Sequence, residues 1–246
     1  MSVNVEPILE ELAAGQWGLF TTAQAKNRGV NRANLSHRER DGRVERLTHG
    51  VYRLGGVPVS GLDNLRAAWL STEPTQLSWK RLDTVDVVVS GAAAAHVHAC
   101  GDLDPSPFKM TTRTRRQTQR SDILFSHRQL QSRDVVIIDG LPVTSIERTI
   151  ADLVNDIGDL SLVADVVADA SRGDRVIDSE YLGALLETHA RRYGHRRGDG
   201  LALVEQLRKI AGIDDETAAR AVLANPGITA AIKDILGSET SGNHTR

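Results

Sequence analysis

The sequence predicts an α+β protein: an N-terminal winged helix-turn-helix, then a mixed α/β domain, then a helical C-terminal region. Three observations carry this. Residues 21–54, TTAQAKNRGVNRANLSHRERDGRVERLTHGVYRL, hold two short helical segments, glycine stops and a basic hairpin, in that order. Residues 84–138 alternate short apolar runs with one alanine-rich helix. From Thr144 onward the apolar spacing is helical and each segment is bounded by Gly, Asp or Pro.

The elements follow in order. VNVEPILEELAAG reads as an acidic amphipathic helix without signal-peptide features. Thr21 and Gln24 make a T-x-x-Q capping box, in which hydroxyl and amide each satisfy an orphan backbone donor, and Gly29 ends that helix. Asn31 caps a second helix, Arg32 to Asp41, which stops at Gly42, where the left-handed conformation costs least. Arg43 to Leu47 and Val51 to Leu54 are short strands joined by Thr48, His49 and Gly50, and form the wing.

Charge concentrates in this segment. Residues 26–46 carry Lys26, Arg28, Arg32, Arg38, Arg40, Arg43 and Arg46 against Glu39, Asp41 and Glu45, a local +4 in a chain of net charge −2. A polyanion meets that local field first. At about 100° per residue, Arg32, Arg38 and Glu39 fall within about 60° of the buried Leu35. Ala33, His37 and Arg40 lie opposite, flanked by Asn34 and Ser36. That outward set suits a major groove, with Arg40 matching guanine, Asn34 adenine, Ser36 and His37 several base edges, and Ala33 a thymine methyl. Arg43, Arg46, His49 and Arg53 on the wing suit phosphates. Thr21 and Thr22, at the start of the first helix, and Arg32, at the start of the second, complete the candidate DNA-binding set.

Glycines and a proline in GGVPVSG, residues 55–61, read as a linker. Residues 62–70 are helical in pattern. Thr84 to Val89 reads as a buried strand, Ser90 caps a helix through Ala99, and Phe108 to Arg113, Ile123 to His127 and Val135 to Ile138 are further strands. Thr144-Ser-Ile-Glu147 reads as a second capping box, opening a helix with Ile146, Ile150, Leu153 and Val154 on one face. Leu160 to Ser171, Ser179 to Tyr193, Leu201 to Ala211, Asp215 to Ala224 and Thr229 to Leu236 are the remaining helices. The domains expected are 1–60, the DNA-binding unit, and 62–237, mixed over 62–143 and helical over 144–237. A disordered tail, 238–246, follows.

Other features are weighed against simpler uses. TTRTRRQTQR, residues 111–120, carries Arg113, Arg115, Arg116 and Arg120 without an acid. It is either a second contact to an anion or a solvated strand end. Arg191, Arg192, Arg196 and Arg197 complement a helix C-terminus. His96, His98 and Cys100 imitate a metal cluster, but on a helix only His96 and Cys100 share a face, and structural zinc almost always takes four ligands. No metal and no cofactor is expected. The single cysteine excludes an internal disulfide, and no apolar run of 18 residues exists, so no membrane span is expected and the chain reads as cytoplasmic. No Walker A loop, G-x-S-x-G elbow or H-E-x-x-H occurs, and the residues at 147, 152 and 165 read as caps and surface pairs. Aromatics at 4% leave little for stacking on RNA bases.

GLFTTAQAKNRGVNRANL followed by DGRVERLTHGVYRL resembles the N-terminal domain of the AbiEi family, antitoxins of type IV toxin-antitoxin systems and related transcriptional regulators. Downstream, VVVSGAAAAHVHACGDLDP and FSHRQLQSRDVVIIDGLPVTSIERTIADLV are similar to that family's alanine-rich helix and its segment leading into an arginine-threonine helix. The resemblance implies a repressor of its own promoter that binds double-stranded operator DNA and counteracts a nucleotidyltransferase-like toxin, directly or indirectly. A stand-alone regulator without a toxin is the second reading. A nuclease-related enzyme is a distant third, since the 34 residues beyond Gly212 are too few for the nuclease domain that some relatives carry.

Overall fold

The computed structural model describes residues 4–172 and 175–215. The fold is α+β, with helices and two sheets. The chain opens with α1 (Val5–Ala14), β1 (Leu19–Thr21), α2 (Thr22–Asn27), α3 (Arg32–Arg40), β2 (Val44–Thr48) and β3 (Val51–Leu54). The strands form an antiparallel sheet in the order β1-β3-β2, with Phe20 and Arg46 both opposite Tyr52. Alternation along the strands gives this sheet two different faces. Phe20, Val44 and Tyr52 pack with Leu9, Leu12, Val30 and Leu35 under the helices. Leu19 and Val51 point the other way, into a core shared with the next segment. Phe20 and Val44 belong to the cluster of Leu35, whereas Trp17, Leu19 and Leu47 belong to the shared one.

That shared core is built on α4 (Asp63–Thr72) and a five-stranded sheet of β4 (Val87–Val89), β5 (Phe108–Thr112), β6 (Ile123–His127), β7 (Val135–Ile138) and β8 (Leu141–Thr144), ordered β6-β5-β4-β8-β7. The sheet is mixed: β4/β5 and β7/β8 are antiparallel, β4/β8 and β5/β6 parallel. Trp69 sits fully buried at its centre, with its indole N–H donated to the Val87 carbonyl at 3.0 Å. Helix α5 (Gly91–Val97) follows β4. Two expectations are corrected here. Val87, not Thr84, begins β4, and Leu141–Thr144, running into the expected capping box, form strand β8. Thr144 ends that strand and spends its hydroxyl on Thr149 at 2.7 Å, so Ser145 is the cap of the next helix, accepting from the Arg148 N–H.

Helices α6 (Ile146–Asp156), α7 (Leu160–Ala170), α8 (Ser179–Leu186) and α9 (Gly200–Ile210) bury Ile150, Leu153, Val163, Val166, Leu203 and Leu207 in a third cluster. The helix read as running to Tyr193 ends at Leu186, with a 3₁₀ turn at Ala190–Tyr193. Helix α9 approaches the end of α8 closely: a Cβ on Gly200 would lie 1.9 Å from the Gly183 carbonyl oxygen and 2.8 Å from the Glu187 nitrogen. Asp152, read as a surface pair, is instead buried between Arg128 and Arg148. The expected helices Asp215 to Ala224 and Thr229 to Leu236 and the tail 238–246 lie outside the described residues, apart from Asp215 at the margin.

Candidate nucleic-acid interface

Helix α3 has few attachments to the rest of the chain. Asn31 Oδ1 accepts the Asn34 backbone N–H at 2.9 Å, which fixes the start of the helix. Leu35 is its buried side chain. A helix with one apolar anchor needs another attachment, and Arg38 supplies it. Its guanidinium reaches back to Glu6 on α1 with N···O distances of 2.6 and 3.2 Å, and Arg43 joins the same carboxylate at 2.9 Å. The Arg38 hydrogen bond, helped by Arg43, holds the Glu6 carboxyl below the usual carboxylate range.

Arg32, Ala33, Ser36, His37 and Arg40 are exposed and Asn34 is half-buried. The helical projection is corrected for Arg32 and Glu39, which reach solvent: they flank Leu35 but are long enough to leave its side, so Arg38 alone of the three turns inward. His37 Nδ1 lies 2.8 Å from Asp41 Oδ2, and Arg40 Nε donates to the Ser36 carbonyl at 3.3 Å. Among the described residues neither Arg32 nor Arg40 makes an ion pair. Beside α3, the β2–β3 hairpin exposes Arg43, Arg46 and His49, with Arg46 Nη2 3.1 Å from His49 Nδ1. Thr22, half-buried, donates its N–H to the Gly50 carbonyl at 2.8 Å, and Gly50 takes φ +75° to turn the hairpin.

Two candidates from the sequence do not join this surface. Thr21 is fully buried: its hydroxyl accepts the Gln24 N–H and donates to the Pro74 carbonyl. Arg53 is buried on the Val51 face, between Glu45 and Asp63, the latter at 2.8 Å. Period-two alternation in VYRL is the signal that could have placed it there. The arginine run is likewise divided. Arg116 pairs with Glu73 at 2.7 Å and with Asp86, and Arg120 pairs with Asp122, while Arg113 and Arg115 are exposed and without an ion pair among the described residues. The run is therefore not a strip of unpaired cations. His98 and Cys100 are also engaged, His98 Nε2 with the Thr144 carbonyl at 2.8 Å and Cys100 Sγ with Arg175 at 3.3 Å. Among the described residues no three His, Cys, Asp or Glu side chains are grouped to hold a metal ion. No described helix is long and apolar enough to cross a membrane.

The N-terminal unit thus presents an exposed, capped polar helix beside a basic hairpin. Residues 7–55, from α1 through the end of β3, match the family model described as "Transcriptional regulator, AbiEi antitoxin", so the resemblance read from the sequence holds over this segment. No curated protein matches the chain. Among solved structures it is similar to the crystal structure of the RV2827C protein from Mycobacterium tuberculosis, with 16% identity and a TM-score of 0.50 over 87% of this chain and 78% of that one. At that identity the likeness is one of fold.

Proposed function

We propose that the chain is a DNA-binding transcriptional autorepressor and the antitoxin of a type IV pair, opposing a nucleotidyltransferase-like toxin in the cytoplasm without cofactor or catalysis of its own. In this reading α1 to β3 is a winged helix-turn-helix, α3 the recognition helix and the β2–β3 hairpin its wing. One observation carries it. Helix α3 rests on Leu35 and the Glu6–Arg38 pair and leaves Arg32, Ala33, Ser36, His37 and Arg40 to solvent, beside Arg46 and His49. The match of residues 7–55 to a family of regulators and antitoxins supports it. Residues 1–60 then read DNA and 62–237 serve neutralisation. Because Leu19 and Val51 share a core with the second sheet, the two tasks are best separated by point substitutions in the full chain.

The test is fluorescence anisotropy with the duplex upstream of the protein's own gene and a random duplex of equal length. Arg40→Ala should cost about 1 to 3 kcal/mol on the upstream duplex only, whereas Arg46→Ala should weaken both alike. Equal losses on both duplexes for Arg40→Ala would remove α3 from the reading role. Growth rescue on co-expression with a neighbouring nucleotidyltransferase-like frame tests the antitoxin half. Repression without rescue would favour the stand-alone regulator.

A further inference from the structure

Strand β7 is an outer edge of the second sheet. Its four residues, Val135 to Ile138, are all apolar, and Val136 and Ile137 are 37% and 48% exposed. Edge strands are usually blunted by a lysine, a proline or a bulge, because their unpaired N–H and C=O groups recruit further strands. Strand β7 has none of these, and its register with β8 runs unbroken from the Val135–Thr144 pair to the Ile138–Leu141 pair.

The hairpin fixes which backbone groups are free. Ile138 and Leu141 flank the two-residue turn Asp139-Gly140, both residues of which hold the positive φ that a type I′ turn needs. Ile138 and Leu141 are therefore a hydrogen-bonded pair, and by alternation so are Val136 and Val143. The backbone groups of Val135, Ile137 and Asp139 consequently point away from β8. Two of them are already used: the Val135 N–H donates to the Ser132 carbonyl, and the Asp139 carbonyl accepts the Trp17 indole N–H. Among the described residues this leaves the Val135 carbonyl, both groups of Ile137 and the Asp139 N–H.

That set is complementary to itself about a two-fold axis at Ile137. In an antiparallel pair of two copies the Ile137 residues exchange N–H···O=C bonds, and each Asp139 N–H meets the Val135 carbonyl of the other copy. A shift of two residues in either direction calls on a group that Ser132 or Trp17 already holds. Side chains agree with this register. Ile137 meets Ile137 on one face and Val136 meets Ile138 on the other, which covers the exposed apolar pair. Charge agrees as well: Arg133 is exposed just before the strand and Asp139 just after it, so antiparallel order sets opposite charges end to end.

We propose that β7 is a dimerisation edge, through which two copies of the chain join as an antiparallel pair centred on Ile137 and continue the five-stranded sheet from one copy into the other. Such an isologous contact closes at two copies. The patch is small, so the dimer is weak, with a dissociation constant on the order of micromolar. This inference goes beyond the DNA-binding reading, and its test uses no DNA. Where both hold, the axis presents two α3 helices to an inverted repeat, because Trp17 ties the β7–β8 turn to the segment before β1.

Sedimentation equilibrium of the full chain from about 1 to about 200 µM should show passage from monomer to dimer and no further growth. Ile137→Pro deletes an N–H that points away from β8, and Ile137→Lys sets like charges on the axis. Each should raise the dissociation constant about tenfold or more, with circular dichroism melting close to the parent. Arg133→Glu, which sets acid against Asp139, should weaken the dimer in the same direction. A short bismaleimide should join Ile137→Cys chains in pairs but leave Leu124→Cys chains, on the opposite edge β6, unjoined. This crosslink locates the contact without any substitution that opposes pairing. A chain that stays monomeric to the highest concentration overturns the proposal, as does a dimer that folded Ile137→Pro and Ile137→Lys leave untouched. Growth past the dimer with Leu124→Cys crosslinked would mean β7 pairs head to tail with β6 of the next copy, and equally overturns it.

Discussion

Trp17 donates its indole N–H to the carbonyl oxygen of Asp139 at 2.7 Å, and both residues hold left-handed backbone, at φ +58° and +47°. Arg66 closes the group, with its guanidinium carbon 5.2 Å from the Trp17 ring centroid and a terminal nitrogen paired with the Asp139 carboxylate. A Cβ on the adjoining Gly140 would come within 3.2 Å of the Trp17 ring. Left-handed backbone at a non-glycine residue costs about 1–2 kcal/mol, so two such residues in contact persist because their surroundings fix them. The turn before β1 is thereby locked to the β7–β8 turn, over the core that Leu19 and Val51 share with α4.

This lock predicts cooperative unfolding. Trp17→Phe keeps most of the ring and deletes the donor, so urea denaturation should show a loss of about 1 kcal/mol with the transition still single. Two separated transitions in the parent chain, one for each sheet, would show that the contact does not couple them.

The caps of α2 and α3 differ in what they hold. Asn31 caps α3 alone and is exposed, so Asn31→Ala should cost about 1 kcal/mol. Thr21 caps α2 and also bonds the Pro74 carbonyl from a fully buried position, so Thr21→Ala leaves that carbonyl unsatisfied and should cost more, about 2–3 kcal/mol. Equal losses in denaturant titrations would mean that the Thr21–Pro74 bond adds nothing.

These caps were legible in the sequence because capping is chemistry within four residues. The strands Ile123–His127 and Val135–Ile138 were legible for a related reason, each being a β-branched or aromatic run between turn signals. What escaped depends on partners distant along the chain. Arg53 and Arg116 looked like free cations because Asp63, Glu73 and Asp86 come near them only in the fold, whereas the partner of Arg120, Asp122, stands two residues on, just beyond the run. The attachment of α3 was hidden in the same way, with Glu6 and Arg38 separated by 32 residues. Strand β8 was obscured by Pro142, which weakens the strand pattern, and by a Thr-Ser pair in which either hydroxyl could have served as the cap.

Asp152 predicts an unusual pH dependence. Burial pushes its carboxyl up to about 6, against the pull of Arg128 at 2.7 Å and of Lys109. Relative to an unfolded value of about 3.9, the folded state holds this proton more tightly. Its contribution therefore favours folding in acid and is lost as pH rises from about 4 to about 6, by up to about 3 kcal/mol. Glu6 and Asp122, both held below their usual range by arginines, act in the opposite sense and lose their contribution as pH falls. The difference between parent and Asp152→Asn isolates the first effect. The stability of the parent relative to the variant should rise as pH falls from 7 to 4. A gap that stays constant over that range would mean Asp152 remains ionised throughout.

The last prediction concerns Glu6, which takes up charge that the interface would otherwise present. Its carboxylate engages Arg38 and Arg43 together, so it both fixes the orientation of α3 and neutralises a cation beside the hairpin. These two roles pull DNA binding in opposite directions. In Glu6→Gln the amide oxygen can still accept one hydrogen bond, but the charge is gone and Arg43 is left free to meet a phosphate. Stability should fall by less than about 1 kcal/mol, since Glu6 and Arg43 are both substantially exposed. Affinity for random duplex should rise and its salt dependence steepen by about one phosphate's worth, because the local field gains a full charge. Affinity for the upstream duplex should rise less or fall, because on the proposed reading α3, with its Arg38 attachment weakened, holds Arg40 and Asn34 less firmly against base edges. The quantity to measure is the ratio of the two affinities, with Arg43→Ala as the companion variant. Glu6→Gln should lower the ratio, and adding Arg43→Ala should return random-duplex affinity towards the parent without recovering the ratio. A ratio unchanged by Glu6→Gln would show that the Glu6–Arg38 pair does not orient α3.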